Sequence, residues 1–462
     1  MKRQNQVVFF NILSTVILRG VSIFTAPLIS RLLGDSGYGI LSVYAIWVSV
    51  AAIAFTLQTQ GTLANARVEF TEQEQPKYQS SVMSLSLLTF LCCSGLVLMF
   101  LKPVSAALGV HWILVLLILL QSFGNFCISF LNNKFTYEFS AGKNFVLSVG
   151  VALITLGLSI VLILLMPQEY RYMGRILAMV LVQGSLGIGV CVYILFKGRT
   201  FYNRDYWKLC IMLSIPVVFH NLSDLILGQS DRLMLQHMLS EAEVGQYSLA
   251  LNFGGIMFTI FGAVNNSWVP FFFEDMKQGR REALRCQSKN FLELYTVLCV
   301  GFVLLSPEVY HVFASEEFWR GSVLIPIFVT SYYLNFLCTF PVNYEYYHKK
   351  TKAVAVVTIA SAVINLVLNY FLIRALGMVG AALATAISHS LQLLLHHVYS
   401  GKIRGRGAYP FPVKLWAPYL ACFGVAVAAV YITDGLWLPR WAFGALFGAW
   451  ELLRIRKRRA LL

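Results

Sequence analysis

Charge is what this chain has least of. Only 12% of its 462 residues are Asp, Glu, Lys or Arg, against about 25% in a soluble domain. A soluble chain of this length would divide into about three domains, yet no hydrophilic block here is long enough to be one. The chemistry-bearing motifs are missing as well. There is no phosphate-cradling GxxxxGK[ST] loop, no HExxH and no GxSxG, which removes the usual routes to nucleotide hydrolysis, zinc proteolysis and acyl transfer. There is no CxxC and no Cys/His cluster, so the nine cysteines do not outline a metal site or a disulfide framework. Eight lie in apolar stretches and Cys286 in a charged loop, where they read as small packing residues. No cofactor and no metal is expected.

What is abundant is apolar surface: 58% of residues are hydrophobic and the mean hydropathy is +0.69. A membrane-crossing helix needs about 20 mostly apolar residues. Fourteen such spans are predicted. Six run Val7–Leu33, Tyr38–Gly61, Ser81–Leu101, Trp112–Leu131, Asn144–Met166 and Gly174–Phe196. Eight more run Leu209–Met238, Gln246–Pro270, Phe291–Ser306, Ser322–Val342, Ala353–Ile373, Met378–Tyr399, Leu415–Thr433 and Leu436–Leu453, the ninth cut short by Pro307. The first is too long for a signal peptide and lacks a small-residue cleavage site. The fold class is therefore an all-α polytopic membrane protein.

The net charge of +15 would suggest nucleic acid in a soluble protein. Here the basic residues cluster on alternate connections, among them Lys197, Arg199, Arg204 and Lys208, then Lys277, Arg280, Arg281, Arg285 and Lys289, then Lys402, Arg404, Arg406 and Lys414. The opposite connections keep only Arg31, Lys102, Arg171, Arg175, Arg320, Arg374 and Arg440. That bias is the mark of the cytoplasmic side. It places both termini in the cytoplasm and makes nucleic acid an unneeded partner. The closing run Arg454-Ile455-Arg456-Lys457-Arg458-Arg459 reads as an anchor for anionic membrane lipids.

The chain also repeats itself. Leu33–Gly39 lines up with Leu239–Gly245, and Tyr172–Ala178 with Met378–Ala384, at one offset of 206 residues. The expected organisation is an N-terminal six-helix lobe over 1–205, a second over 206–408, and two extra helices with a basic tail over 409–462. An even number of spans per repeat makes the lobes parallel, a build suited to alternating access.

Residues Arg31-Leu32-Leu33-Gly34-Asp35-Ser36-Gly37-Tyr38-Gly39 carry a resemblance, as do Ser230-Asp231-Arg232-Leu233-Met234-Leu235 and Glu243-Val244-Gly245-Gln246-Tyr247-Ser248-Leu249-Ala250. In these and in the order of its spans the chain resembles the polysaccharide transporter family. These are the Wzx-type flippases for lipid-linked oligosaccharides, within the multidrug/oligosaccharidyl-lipid/polysaccharide exporter superfamily. The resemblance covers nearly the whole chain. It implies a V-shaped two-lobe fold and passage of an undecaprenyl-pyrophosphate-linked oligosaccharide from the inner to the outer leaflet of the bacterial cytoplasmic membrane. It also implies a polysaccharide polymerase and glycosyltransferases as partners.

Charges inside apolar spans are functional candidates by default, because each costs roughly 2.5–3.5 kcal/mol to insert at a helix centre. Arg19 is expected to be buried at the middle of the first span. His220, Asp224 and Asp231 fall on one stripe of the seventh, within roughly 40° of each other. Arg19 shifted by the repeat offset lands beside Asp224. Two compatible roles follow: Arg19 meets the pyrophosphate through its bidentate donors, or Arg19 and Asp224 pair as a gate. Arg31, Arg232, His220, Gln58 and Asn65 are further substrate-binding candidates, and Asp224 and Asp231 are candidates for the gate or for ion coupling. His396 and His397 are expected at the inner headgroups. The rival readings are a flippase for peptidoglycan or spore-cortex precursors, a cation-coupled multidrug exporter, and a membrane-embedded glycosyltransferase or polymerase. An anionic cargo needs no bound cation to move outward, since the membrane potential favours it by roughly 2.3 kcal/mol per charge per 100 mV.

Overall fold

The computed structural model describes residues 2–403, 409–433 and 436–459. Arg404 and Arg406, and the side chains of Lys2, Arg3 and the Arg454–Arg459 run, lie outside the described ones. The described residues form helices and no strands. Twelve helical stretches among them are long and apolar enough to cross a membrane, and the protein is a polytopic all-α membrane protein. Two compact units divide the chain at Met1–Gly245 and Gln246–Leu462.

In the first unit, α1 (Lys2–Phe55) covers both the first and the second expected span. It is interrupted only at Gly34, whose φ of 72° lies outside the helical region and suits a residue without Cβ. Short α2 (Leu63–Glu69) and α3 (Gln75–Met99) follow, then α4 (Leu101–Leu108), α5 (Trp112–Tyr137) and α6 (Ala141–Leu165). Next, α7 (Arg171–Met179) and α8 (Ser185–Gly198) are joined without a break by a π turn over Val180–Gly184. That turn is held from the neighbouring helix: Gln121 Nε2 on α5 donates to Gln183 Oε1 at 2.8 Å, while Tyr44 Oη on α1 donates to Gln121 Oε1 at 2.7 Å. The long α9 (Arg204–Met238) packs on α1 and α3.

The second expected span ends early. The expected span runs to Gly61, but α1 stops at Phe55, Leu57 and Gln58 turn left-handed, and a 3-10 turn over Thr59–Thr62 leads into α2. A helix end among apolar helices needs partners for its last carbonyls. Here α3 supplies them. Thr89 Oγ1 donates to the Phe55 carbonyl at 2.9 Å and Ser86 Oγ to the Thr56 carbonyl at 2.9 Å.

The repeated segments meet within this unit. Gly39 lies so close to Glu241 that a Cβ there has no room, and Gly245 stands in the same relation to Asp35. The offset that aligns Gly39 with Gly245 also aligns Asp35 with Glu241, so the contact is self-complementary in the manner of a two-fold interface.

The second unit holds most of α10 (Glu241–Gln278), then α11 (Arg281–Phe313), a 3-10 stretch over Glu316–Leu324, and α12 (Ile325–Tyr347). It continues with α13 (Thr351–Leu376), α14 (Met378–Lys402), α15 (Val413–Ile432) and α16 (Trp437–Arg459). The ninth span was expected to stop before Pro307, yet α11 runs through it. A proline has no N–H for the carbonyl four residues back. Ser306 Oγ takes that role, donating to the Val303 carbonyl at 2.8 Å. Among these helices, α12 and α14 pack tightly together, α14 also packs on α13, and α11 packs on α15 and α16. Fully buried Tyr295, Tyr333, Phe328 and Phe340 form much of the core.

Candidate functional site

The break after α1 is what positions the first candidate. Its left-handed backbone (φ 49°) turns Gln58 toward α9, where Asn221 Nδ2 donates to Gln58 Oε1 at 2.7 Å. Asn221 was not singled out in the sequence, because an amide beside a histidine carries no motif. Its only signal was adjacency to the polar stripe.

On the same stretch of α9, His220 Nε2 stands 3.6 Å from Asp224 Oδ2, one turn along the helix. Both side chains are about 70% exposed, at 72% and 69%. Asp231, farther along the stripe, is half-buried and engaged with neighbouring groups. Next to it, Arg232 is half-buried and its Nε has no hydrogen-bond partner.

Arg19 departs from expectation. It lies midway between the start of α1 and the break at Gly34, but its side chain is exposed rather than buried. It makes no ion pair among the described residues. The Arg19–Asp224 gate is therefore not formed: Asp224 pairs with His220, one helical turn away on its own helix. Arg31 is exposed but engaged. Asn65 sits exposed on α2, and its side chain makes no hydrogen bond among the described residues.

Structure thus brings Gln58, Asn221, His220 and Asp224 into one polar patch. It leaves Arg19, Arg31, Asn65 and Arg232 as separate polar points on the same unit. An exposed guanidinium in an apolar helix can bind an anion bidentately, and neighbouring amides and an imidazole suit hydroxyl-rich groups.

His396 also departs from expectation. It is fully buried and faces Glu345, not headgroups. The Glu345 side chain was invisible as a candidate because Asn343–His348 reads as a polar helix end.

Comparison with known proteins places this architecture. The polysaccharide biosynthesis protein family matches residues 5–276. A relative from Haloferax volcanii, the probable low-salt glycan biosynthesis flippase Agl15, is 22% identical over 397 residues, covering 82% of this chain and 80% of its own. Among solved structures, the lipid II flippase MurJ in an inward closed conformation is 16% identical, covers 95% of this chain and 96% of its own, and gives a TM-score of 0.70. An inward-facing multidrug resistance MATE transporter of the MOP superfamily is 14% identical, covers 84% and 93%, and gives 0.61. At these identities the two structures establish a shared fold.

Proposed function

Because the chain belongs to the polysaccharide biosynthesis protein family and has the fold of MOP-superfamily transporters, we propose that it is a flippase. Its cargo in this reading is a polyprenyl-pyrophosphate-linked oligosaccharide, moved across the bacterial cytoplasmic membrane for assembly of a capsule, exopolysaccharide or cell-wall polymer. The observation that carries the reading is Arg19: a charged side chain, exposed and without an ion-pair partner among the described residues, in the middle of an apolar helix. A cation so placed on a membrane helix calls for an anionic ligand, and a pyrophosphate matches its paired donors. The patch of Gln58, Asn221, His220 and Asp224 then offers hydrogen bonds to sugar hydroxyls. Arg31, Asn65, Arg232 and Asp231 are secondary contacts along the path.

In this proposal the chain crosses the membrane fourteen times with both termini in the cytoplasm. Residues 1–205 and 206–408 act as parallel six-helix lobes, with 409–462 added, and transport proceeds by alternating access. The self-complementary contact of Gly39 with Glu241 and Gly245 with Asp35 supports the repeat on which this rests. A polymerase and glycosyltransferases supply and consume the cargo, and anionic lipids hold the basic tail. Undecaprenyl is the expected carrier.

The test uses reconstituted protein and a fluorescent undecaprenyl-pyrophosphate-linked sugar. Arg19→Ala should abolish transport at normal protein level, while Arg19→Lys should restore part of it, since charge returns without the bidentate fork. Full transport by the Ala variant would remove Arg19 from the mechanism. Transport of lipid II in preference to longer glycans would favour the peptidoglycan-precursor reading instead.

A further inference from the structure

The second unit contains an acid and an imidazole sealed together inside its helices. Glu345, near the end of α12, and His396, near the end of α14, are both 0% exposed. His396 Nδ1 lies 3.0 Å from Glu345 Oε1 and 3.1 Å from Oε2. Ser400 Oγ donates to Glu345 Oε1 at 3.0 Å and to the Pro341 carbonyl at 3.2 Å. The remaining imidazole nitrogen, Nε2, is buried and has no hydrogen-bond partner among the described residues.

We propose that Glu345 and His396 form a proton-binding site whose occupancy is linked to separation of the ends of α12 and α14. The reasoning is one of charge balance. With one proton on Nδ1 and none on Nε2, the pair carries a net negative charge at a fully buried position, which is heavily penalised. With a proton added at Nε2, the pair becomes imidazolium and carboxylate and is neutral overall, but the new N–H has no acceptor. Each state leaves one atom unsatisfied while the helices are closed. Water reaching Nε2 resolves both, so the proton is exchanged when the helix ends part. The cycle adds and removes one proton at Nε2 and consumes nothing else.

Among the described residues, no basic side chain is hydrogen-bonded or ion-paired to Glu345 other than His396. Tyr344 on α12 has ring contacts with His348 and with Tyr409 in the following segment, and Tyr409 with His397 on α14; the Glu345 charge is felt at Tyr409 and at the Cys338 thiol on α12. The Tyr409 hydroxyl and His397 Nδ1 are themselves buried without partners. The basic groups in the vicinity are outside the hydrogen-bonded set: Arg281 at the start of α11 acts on Tyr344, and Lys350 acts on His348. Lys350 reaches Glu345 only through its backbone N–H, which donates to the Glu345 carbonyl at 2.8 Å.

The inference stands apart from the cargo, so its test is cargo-free. Full-length protein is placed in vesicles of phosphatidylethanolamine and phosphatidylglycerol. Infrared difference spectra between acidic and alkaline pH, and hydrogen exchange of α12 and α14, are then measured. Wild type should show one protonation change, with exchange at the ends of both helices rising at least tenfold as the proton leaves. Glu345→Gln, which keeps an oxygen for His396 Nδ1–H but no charge, should flatten both signals. Ser400→Ala removes a hydrogen bond to the carboxylate, so the midpoint of both pH responses should differ from that of wild type. If Glu345→Gln does not fold, the Ser400→Ala shift decides the matter. A pH response unchanged in both variants, or a wild type with no Glu345-dependent band, would overturn the site.

Discussion

The two units each pair a carboxylate with a histidine, and they do it in opposite surroundings. On α9 the pair is His220 and Asp224, 3.6 Å apart and about 70% exposed, with side chains at 72% and 69%. Between α12 and α14 it is His396 and Glu345, 3.0 Å apart with no exposure at all. An exposed pair contributes little to stability, because water and salt screen it. A sealed pair is different: breaking it leaves one buried group without compensation. The same two kinds of group, an imidazole and a carboxylate, are thus open to a ligand in one place and built into the packing in the other.

The hardest way to break that contrast is to truncate the sealed pair. Glu345→Ala should strand His396 and Ser400 and cost about 3–5 kcal/mol of stability, read as a loss of thermal stability or of folded yield in detergent. Glu345→Gln should cost less, since it retains hydrogen-bonding atoms for both neighbours. Equal losses from the two variants would show that volume, not charge and hydrogen bonding, sets the effect.

A second comparison lies within the repeat. Gly39→Ala and Gly245→Ala each push a methyl into the backbone of the partner segment. Overpacking of this kind costs about 1–3 kcal/mol, and the two variants should cost nearly the same because they meet equivalent surfaces. A loss confined to one of them, in thermal unfolding, would break the equivalence that the 206-residue offset implies.

The sequence made some of this legible and hid the rest for physical reasons. Bilayer thickness imposes long apolar runs, so α6 was readable almost to its ends, while α3 and α5 run past the expected spans into more polar residues, at the start of α3 and at the end of α5. The repeated Gly39 and Gly245 were readable because identical close contacts demand the same small residue. The stop at Phe55 was not readable, since it depends on Ser86 and Thr89 of another helix reaching the Phe55 and Thr56 carbonyls. The continuation of α11 through Pro307 depends on a local hydroxyl, Ser306, that looks like any other polar residue at a helix end. The Glu345–His396 pair was hidden most thoroughly: its members are 51 positions apart and meet only because α12 packs on α14. For the candidate site, His220 and Asp224 were legible as a helical stripe, but the amide link from Asn221 to Gln58 needed the left-handed turn after α1.

That link gives the third prediction. Gln58→Ala and Asn221→Ala should each lower stability by about 0.5–1.5 kcal/mol, the usual contribution of one hydrogen bond. The double variant should lose less than the sum, because one shared bond is removed twice. Strict additivity in thermal unfolding would mean that the two amides do not pair in the membrane.

The smallest stability effect is expected at Asp224, and it is the sharpest probe of the contrast. If the exposed pair lines a water-filled path, Asp224→Asn removes one charge from a screened pair, so stability should change by less than about 0.5 kcal/mol. Whatever small change appears should shrink further at high salt, because an exposed pair is screened within about 8–10 Å at moderate ionic strength. Transport is a separate matter. If the polar patch meets the cargo, Asp224→Asn and His220→Gln should lower the rate of lipid-linked sugar movement in vesicles several-fold while the unfolding temperature stays put. That split between activity and stability is the reverse of the pattern expected at Glu345. A variant of Asp224 that unfolds as readily as Glu345→Ala would show that the α9 pair is sealed in the working protein, and it would move His220 and Asp224 from the transport path into the packing.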